Sequence, residues 1–433
     1  MSWKEIYNSR LMSAEEAVKK VPSNSRVVVG HAVGEPAYLL SVMAEHKEWY
    51  ENVEIFHMVS FGKNEYCNEG MEKHFRHNSL FVGGNTRKAI QSGRGDYTPC
   101  FFSEIPRLFE EQLHPDVALI MVTPPDENGK VNLGVSVDYT KGAAKNAKLV
   151  IAQVNDQMPY TYGDSLLDVS EIDCFVEHSN PIPEVQPAVL GEIEKAIGRN
   201  CATLIKDGDT LQLGIGGIPD AVLLSLKDKK NLGIHSEMFS DGVVELVKAG
   251  VINGSEKELL PGKMAVTFLM GTKKLYDFVD HNPDVAMYTV DYINDPVVIA
   301  QNNHIVCINS CVQVDLMGQA CSEAVGLTQI SGVGGQVDFI RGAAMAKNGT
   351  SILAMPSTAA KGKISKIVPF LDEGATVTTS RNDIDYVVTE YGIAHLKGKT
   401  LRERAKSLID IAHPDFKEGL IAEYEKRFHC SYK

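Results

Sequence analysis

Short apolar runs alternate along the chain with apolar stretches that follow a turn and a proline. VVVG (27–30) is followed by a turn, a proline and AYLL (37–40); LQLG (211–214) is followed in the same way by AVLL (221–224). The first kind of run is typical of a buried strand, and the second is typical of a helix that packs on it. Because strands that alternate with helices form mainly parallel sheets, the pattern predicts an α/β fold.

Four segments in the first part of the chain have counterparts, in the same order, in the second part. VDYTKGAAKNAKLVIA (137–152) and VDFIRGAAMAKNGTSILA (337–354) share Val-Asp-aromatic-x-basic-Gly-Ala-Ala before an apolar run. The remaining pairs are residues 27–40 with 211–224, 52–62 with 231–242, and 124–134 with 313–323. Ordered self-similarity indicates repeated structural units. We expect two pseudo-symmetric open α/β domains, each with a mainly parallel sheet flanked by helices.

A Pro-rich segment, HSNPIPEVQP (178–187), separates the two repeats. Its composition is unlike the interior of a helix or strand, so it marks a boundary. GEIEKAIGRNCATLI (191–205) then has the apolar rhythm of a helix, and Ser13 with Glu16 forms a capping-box pattern for the corresponding helix of the first half. The predicted domains are residues 1–185 and 186–433.

Composition and charge exclude several kinds of partner. Apolar residues make up 44% of the 433 residues and charged residues 23%, as in soluble globular proteins. A net charge of −13 disfavours nucleic acid, whose phosphates require basic surfaces. The N-terminal stretch lacks the apolar core of a signal peptide, and no apolar run approaches the roughly 20 residues of a membrane span. We expect a cytoplasmic protein that binds neither nucleic acid nor membrane.

Cysteine and histidine spacings do not indicate a metal site. Cys307, Cys311 and Cys321 come nearest to a cluster, but their spacing matches no zinc pattern, and they lie in or near the apolar run HIVCINSCVQV. We expect them to be buried structural thiols. His74 and His77 stand among charged residues without a third ligand nearby, which favours a surface helix.

One carboxylate stands between a short strand and a helix in GIHSEMFSDG (233–242). Ligands of open α/β sheets lie beyond the carboxyl ends of the strands, where Glu237 is placed. Aligning His57 with His235 sets Glu237 opposite Val59, so the second half has a carboxylate where the first has an apolar residue. Glu237 is either a solvated surface acid or a reactive group.

Two glycine-rich turns precede apolar stretches, at residues 214–219 and 332–337. Neither has the third glycine of the dinucleotide fingerprint. Backbone N–H groups at such turns can bind an anion or an oxyanion, although a turn needed only for packing has the same composition. Lys361, Lys363 and Lys366 crowd PSTAAKGKISKIVP, which is either a solvated face or a phosphate contact.

Together these motifs resemble the acetyl-CoA hydrolase/transferase family of coenzyme A transferases, over essentially the whole chain. The stretches that carry the resemblance are GIHSEMFSDGVVEL, LQLGIGGIPDAV, QISGVGGQVDFIRGA and VTTSRNDIDYVVTEYGIAHLKGKTLRERAKSLIDIAHPDF. The resemblance implies that Glu237 is the nucleophile, that the first glycine turn is the coenzyme A loop and that the second lies beside the reactive thioester. The residues implied to bind coenzyme A are Gly214, Ile215, Gly216, Gly217, Ile218, Gly334, Gly335 and Lys363. Those implied to form the oxyanion and acyl pocket are Val33, Gly34, Asn309 and Gln336.

The implied activity is the transfer of coenzyme A from an acyl-CoA, such as acetyl-CoA or butyryl-CoA, to a short-chain carboxylate. 4-Hydroxybutyrate is the favoured acid; Gln212, His31 and the tyrosines are equal candidates to bind its hydroxyl group. The expected ping-pong mechanism passes through a glutamyl-CoA thioester on Glu237, so coenzyme A is substrate and covalent intermediate, without a permanently bound cofactor or metal. The resemblance also implies a homodimer. The alternatives are an acyl-CoA hydrolase and a non-enzymatic sensor that binds coenzyme A.

Overall fold

A computed structural model describes residues 1–432 of the protein. Its α-helices are α1 (Trp3–Arg10), α2 (Ala14–Val18), α3 (Ala37–Glu45), α4 (Arg87–Gln91), α5 (Ile105–Leu108), α6 (Thr140–Asn146), α7 (Glu192–Ala202), α8 (Gly217–Leu224), α9 (Asp241–Lys248), α10 (Lys273–Val279), α11 (Val290–Ile293), α12 (Pro296–Ile299), α13 (Gln336–Met345), α14 (Leu401–Asp410) and α15 (Pro414–Phe428).

The strands are short and alternate with these helices. They are β1 (Arg26–Val29), β2 (Val53–His57), β3 (Phe75–Ser79), β4 (Gly95–Tyr97), β5 (Val117–Val122), β6 (Lys130–Asn132), β7 (Leu149–Val154), β8 (Tyr162–Gly163), β9 (Leu166–Asp168), β10 (Cys174–Glu177), β11 (Thr210–Leu213), β12 (Gly233–Ile234), β13 (Met264–Val266), β14 (Val285–Met287), β15 (Ile305–Ser310), β16 (Gln313–Asp315), β17 (Ala320–Cys321), β18 (Ala324–Val325), β19 (Thr328–Gln329), β20 (Thr350–Ala354), β21 (Thr358–Ala359), β22 (Ile364–Ser365), β23 (Ile367–Val368), β24 (Tyr386–Thr389) and β25 (Gly392–His395).

The first compact unit contains residues 1–186 and 265–293. Its main sheet has the strand order β10-β7-β5-β1-β2-β3-β4, and every neighbouring pair is parallel. All residues of β5, VALIMV, are buried, as expected for a strand covered on both faces. Apolar side chains of α2 and α3 pack in one core with those of β1, β2 and β5.

The second compact unit contains residues 187–264 and 294–432 of the described chain. Its main sheet has the order β12-β11-β15-β20-β24-β25. Neighbours are parallel as far as β24, which forms an antiparallel hairpin with β25. Helices α14 and α15 contribute Leu408, Leu420 and Tyr424 to a core that also contains Leu353 of β20 and Val387 of β24.

The two main sheets share the same order of equivalent strands. Numbered along each half, β1, β2, β5, β7 and β10 lie in the order 2-1-3-4-5, and so do β11, β12, β15, β20 and β24. This is one of the two common doubly wound orders, with its switch point between the first and third strands. The repeated segments fall on equivalent elements: residues 137–152 form α6 and most of β7, and residues 337–354 form most of α13 and all of β20. The predicted pair of related α/β domains is confirmed.

One segment lies in a different unit from the one that the predicted domain boundary gives it. The sequence predicts domains 1–185 and 186–433, whereas residues 265–293 belong to the first unit. Strand β14 in this segment pairs in parallel with β8, with Ala286 opposite Tyr162. Backbone pairing between residues distant in the chain has no local sequence signal, which is why the pattern of repeats does not reveal it.

Several local predictions can be compared with the structure directly. Ser13 caps α2 in a capping box with Glu16, as predicted. The three clustered cysteines are buried, also as predicted. The surface helix predicted at His74 and His77 is wrong. His77 lies in β3, a strand in which four of the five residues are buried, His77 among them.

Within residues 1–432 no helix is both long enough and apolar enough to cross a membrane. The same residues contain no group of three or more His, Cys, Asp or Glu side chains arranged to hold a metal ion.

Candidate active site

Glu237 follows β12, the edge strand of the second unit's main sheet. Gly233 and Ile234 of this strand lie opposite Thr210 and Leu211 of β11. The chain then passes through residues 235–240, and α9 begins after the N-cap residue Ser240. Glu237 therefore projects from the turn at the carboxyl end of a parallel strand, as its position in the sequence predicts.

The segment that carries Glu237 is fixed by its neighbours. Ser236 is buried, and its Oγ accepts from the Leu213 N–H at 3.3 Å and donates to the Leu213 carbonyl at 3.1 Å. Met238 and Phe239 are almost completely buried in the second unit. Glu237 itself is half-buried. Buried residues therefore hold the segment on both sides of Glu237, which keeps partial access to solvent.

Asn294 and Gly335 surround the carboxylate of Glu237. The Asn294 Nδ2 donates to Glu237 Oε2 at 3.4 Å, and the Asn294 side chain is completely buried. A Cβ atom built on Gly335 would lie 2.1 Å from Glu237 Oε2 and 2.3 Å from Asn294 Nδ2. Only glycine leaves room for both side chains here. Within residues 1–432, Asn294 Oδ1 is buried without a hydrogen-bond partner.

Sequence reasoning did not find Asn294. The residue lies between α11 and α12, and Asp295, which follows it, caps α12 by accepting from Val297 N–H at 2.7 Å. The local pattern Asn-Asp-Pro is that of a helix start, and it contains no signal that Asn294 reaches Glu237, 57 positions earlier.

A reciprocal pair of amides lies at the topological switch point of the same sheet. Gln212 of β11 donates to Asn309 Oδ1 at 3.3 Å, and Asn309 of β15 donates to Gln212 Oε1 at 3.1 Å. Gln212 is buried and Asn309 is half-buried. Since β11 and β15 are the first and third strands of the doubly wound order, Asn309 lies where such sheets bind ligands.

The first glycine turn joins β11 to α8. Gly216 has a φ of 113°, a conformation that favours glycine, and a Cβ atom at Gly214 or Gly216 would meet nothing within 4 Å. Ile215 is 39% exposed, so the turn is open to solvent. Gly217 and Ile218 begin α8, and the first N–H groups of a helix have no partner within the helix. The turn can therefore bind an anion through backbone N–H groups.

An acidic residue of α8 lies close to this turn. Burial raises the pKa of the Asp220 carboxyl. Its Oδ2 accepts from the Ala188 N–H at 3.1 Å, and its Oδ1 is 3.5 Å from the hydroxyl of Ser240. The Ala188 N–H and the Ser240 hydroxyl thus hold the Asp220 carboxyl within the second unit.

The second glycine turn contacts Glu237 through its backbone. Gly334 has a φ of 54°, and Gly335 is the N-cap of α13. Gln336, the first residue of that helix, donates from Nε2 to Ser322 Oγ and Thr379 Oγ1, both at 2.9 Å. Its side-chain nitrogen is thus used within the second unit.

Lys363 lies in an exposed hairpin turn between β21 and β22. Its backbone N–H donates to the Ala359 carbonyl at 3.1 Å. The turn contains three successive residues with positive φ, which are Ala360, Lys361 and Gly362. The structure places Lys363 on an element separate from the Glu237 segment.

Val33 and Gly34 belong to the first unit, in the turn after β1. Gly34 donates its N–H to the His31 carbonyl at 3.0 Å, and a Cβ atom on Gly34 would lie 2.6 Å from Ser136 Cβ. His31 is buried with Nδ1 3.0 Å from Asp138 Oδ2. Glycine is required at position 34 because the backbone approaches Ser136 so closely.

Both domains of a known enzyme family match this chain. Residues 1–186 match the acetyl-CoA hydrolase/transferase N-terminal domain, and residues 271–424 match the C-terminal domain. A 4-hydroxybutyrate coenzyme A transferase of Clostridium kluyveri is 66% identical over 429 residues, which cover 99% of this chain and all of the relative. A butyryl-CoA:acetate CoA-transferase of Anaerostipes caccae is 38% identical over 437 residues, covering 98% of both chains.

A solved structure is similar over the same length. The crystal structure of 4-hydroxybutyrate CoA-transferase from Porphyromonas gingivalis has a TM-score of 0.86 and 46% sequence identity, and the match covers 99% of this chain and all of that one. Both domains of the family match this chain, and its relatives match it from end to end. The chain belongs to the acetyl-CoA hydrolase/transferase family of enzymes.

Proposed function

We propose that this coenzyme A transferase moves coenzyme A from acetyl-CoA or butyryl-CoA to 4-hydroxybutyrate, with Glu237 as the nucleophile. The observation that carries the assignment of Glu237 is its contact with Asn294 and with the backbone of Gly335 at the carboxyl end of the sheet. A solvated surface acid needs neither an amide donor nor a glycine that leaves room for it.

The first exchange forms a mixed anhydride. A carboxylate oxygen of Glu237 attacks the thioester carbonyl carbon of the donor, the C–S bond breaks, and the coenzyme A thiolate leaves. The thiolate then attacks the Glu237 carbonyl carbon, and the donor acid leaves as its carboxylate. A glutamyl-CoA thioester remains. Each step begins and ends with one activated acyl group, so no external energy source is needed.

The acceptor acid reverses this sequence. Its carboxylate attacks the glutamyl-CoA carbonyl and releases the thiolate, which then attacks the acceptor carbonyl of the new anhydride. The products are the acceptor's coenzyme A thioester and the free carboxylate of Glu237. Because the first acid leaves before the second acts, the kinetics are ping-pong. Coenzyme A is a substrate and a covalent intermediate, and the proposal includes no permanently bound cofactor.

Asn294 supplies a donor to the oxyanion formed on Glu237. When the thiolate attacks the Glu237 carbonyl carbon, negative charge develops on a carboxyl oxygen, and the amide of Asn294 is placed at Oε2. Loss of one oxyanion donor typically raises a barrier by about 2.7–4 kcal/mol. Asn294 thereby acts in the steps that form and consume the thioester.

The remaining site residues enter the proposal from the family resemblance and local geometry. The open turn at residues 214–218 and the exposed Lys363 are assigned to coenzyme A phosphates, and Asn309 is assigned to the acyl group at the switch point. Val33 and Gly34 are assigned to an oxyanion on the family resemblance alone. A homodimeric state and a cytoplasmic location are proposed on the same basis; light scattering after gel filtration tests the homodimer.

The first experiment is the intact mass of the protein after mixing with butyryl-CoA in the absence of an acceptor, followed by peptide mapping. The expected product is a mass gain of one coenzyme A minus one water, located on Glu237.

Variants of Glu237 test the same assignment. Glu237→Gln should form no adduct. Glu237→Asp should transfer coenzyme A far more slowly, because its shorter side chain places the carboxylate farther from the thioester. Glu256→Gln, an exposed carboxylate-to-amide change in the same unit, is the control. A wild-type rate of coenzyme A transfer by Glu237→Asp would contradict the assignment of Glu237 as the nucleophile.

The acyl-CoA hydrolase is the alternative that the family name itself supports. In that mechanism water attacks the anhydride, and free acid and free coenzyme A accumulate without an adduct. The adduct experiment separates the two activities. A non-enzymatic sensor requires neither outcome, and its ligand binding would survive Glu237→Ala.

The acceptor acid is tested by initial rates with 4-hydroxybutyrate, butyrate and acetate against one donor. The proposal expects the highest kcat/KM for 4-hydroxybutyrate. An equal value for butyrate would show that no group in the pocket binds the hydroxyl, and it would remove this acid from the proposal while leaving the role of Glu237 intact.

A further inference from the structure

The side-chain nitrogen of Lys257 is buried in the second unit. The residue is 4% exposed, and its Nζ donates to the Ile234 carbonyl at 2.7 Å and to the Lys263 carbonyl at 2.6 Å. Fully buried lysines usually have an acidic partner. The two acceptors of Lys257 Nζ are backbone carbonyls instead. Burial lowers the pKa of Lys257 to about 7.

The Ile234 carbonyl lies on the outer edge of the strand that leads to Glu237. On the inner edge, Gly233 donates to the Asp209 carbonyl and His235 to the Leu211 carbonyl. Successive residues of a strand direct their backbone groups to opposite sides, so Ile234 directs its own groups away from β11. A buried carbonyl at such an edge requires a donor. Lys257 supplies that donor.

The segment before Lys257 pairs with the same outer edge. Leu232 donates to the Val251 carbonyl at 2.9 Å, and Asn253 and Gly254 donate to the Leu232 carbonyl at 3.0 Å. Two residues after Leu232, the Ile234 carbonyl accepts from the side chain of Lys257 instead of from a backbone N–H. The edge of the strand is thus held as far as Ile234, three residues before Glu237.

The aliphatic part of Lys257 passes over Gly233. A Cβ atom on Gly233 would lie 2.4 Å from Lys257 Cγ. The absence of a side chain at position 233 therefore lets the lysine cross the strand and reach the Ile234 carbonyl. Two independent features, the glycine and the hydrogen bond, connect Lys257 to this strand.

We propose that Lys257 is a positioning residue for Glu237: its side-chain nitrogen fixes the end of β12 and so the place of the carboxylate against Asn294 and Gly335. This inference rests on the proposed function of Glu237. A displacement of reacting groups by about 1 Å is enough to slow a reaction by about 100-fold. Lys257 acts through the strand and does not contact the substrate.

The test compares Lys257→Met with the wild-type protein. Methionine keeps most of the length and loses the donor, so kcat is expected to fall about 10- to 100-fold while KM for both substrates stays within about threefold. The rate at which butyryl-CoA forms the Glu237 adduct should fall in parallel. Lys229→Met is the matched control. Lys229 also donates to a carbonyl of this unit, that of Ile205, but lies outside β12, and its variant should retain wild-type kcat.

A second variant keeps the inference testable if Lys257→Met does not fold. Lys257→Gln retains an amide donor on a shorter arm, and its kcat should lie between those of Lys257→Met and the wild type. Wild-type kcat in either folded variant would overturn the positioning role. So would a loss of kcat that only follows the fraction of unfolded protein. Transfer by Glu237→Gln at the wild-type rate would instead overturn the proposed function, independently of any Lys257 result.

Discussion

The carboxylate of Glu237 lies against the backbone of Gly335, at a distance that excludes every side chain at position 335. A Cβ atom there would come 2.1 Å from Glu237 Oε2. The two residues are far apart in the chain and meet because α13 begins beside the turn that follows β12. The geometry of the proposed nucleophile therefore depends on a glycine that belongs to a different element.

Gly335→Ala is expected to reduce kcat at least about 100-fold, because the added methyl group displaces Glu237, Asn294 or both. The backbone at position 335 has a negative φ, so alanine is compatible with its conformation. Circular dichroism and thermal unfolding should therefore remain close to wild type. Steady-state transfer assays measure the effect.

Gly419→Ala is the control for this substitution. Gly419 is exposed within α15, and a Cβ atom there would meet nothing within 4 Å. Alanine should leave kcat unchanged and stabilise the helix by about 0.5–1 kcal/mol. Equal kcat values for the two variants would contradict the contact between Gly335 and Glu237.

Asn294→Asp is expected to change the pH dependence of transfer. A second carboxylate beside Glu237 raises the pKa of the pair, because two like charges at hydrogen-bond distance cannot both ionise readily. Glu237 must be ionised to attack, so the acid limb of kcat/KM should move to higher pH, and kcat should fall about 100- to 1,000-fold from loss of the donor. Initial rates from about pH 5 to about pH 9 give the profile.

Asn302→Asp provides the matched comparison. Asn302 is also completely buried, and its Nδ2 donates to the Ile299 carbonyl at 3.3 Å. The substitution is expected to lower stability and to leave the acid limb in place. A shift of equal size in both variants would show that Asn294 has no special relation to Glu237.

Gln212 and Asn309 are expected to be energetically coupled. Replacing either residue by leucine leaves the amide of the other without its partner, at a cost of about 1–3 kcal/mol. The double variant removes both amides, so its loss of stability should be smaller than the sum of the single losses by about 0.5–3 kcal/mol. Urea unfolding of the four proteins measures this coupling. Additive effects would mean that the two hydrogen bonds contribute nothing to stability.

Lys257 is expected to make stability rise with pH. Burial lowers its pKa in the folded protein from 10.5 to about 7. Between these values the unfolded chain binds more protons than the folded one, and stability therefore increases as the pH rises. Relative to Lys257→Met, which lacks this titration, the wild type should gain about 3 kcal/mol between about pH 6 and about pH 9. A difference that does not change with pH would place the pKa of Lys257 near its usual value.

The sequence was most informative where its signals are local. Apolar runs, helix caps and the order of repeats predicted related α/β domains, and the shared 2-1-3-4-5 strand order confirms them. The position of Glu237 after a short strand followed from the same pattern. The strand at His77 was missed because FRHNS has only one apolar residue. It therefore has neither the apolar run nor the alternation by which strands are recognised in a sequence.

The sequence by itself determined the alternation of strands and helices, the two repeats, the glycine turns and the carboxylate at a strand end. Each of these depends on periodicity or on the backbone conformation of glycine and proline, which neighbouring residues encode. Only the tertiary structure showed that Asn294 and Gly335 lie beside Glu237. It also showed that Lys257 lies at the edge of β12 and that residues 265–293 belong to the first unit. These relationships join residues distant along the chain, and they arise from packing and from the need of buried polar groups for partners, neither of which a local pattern records.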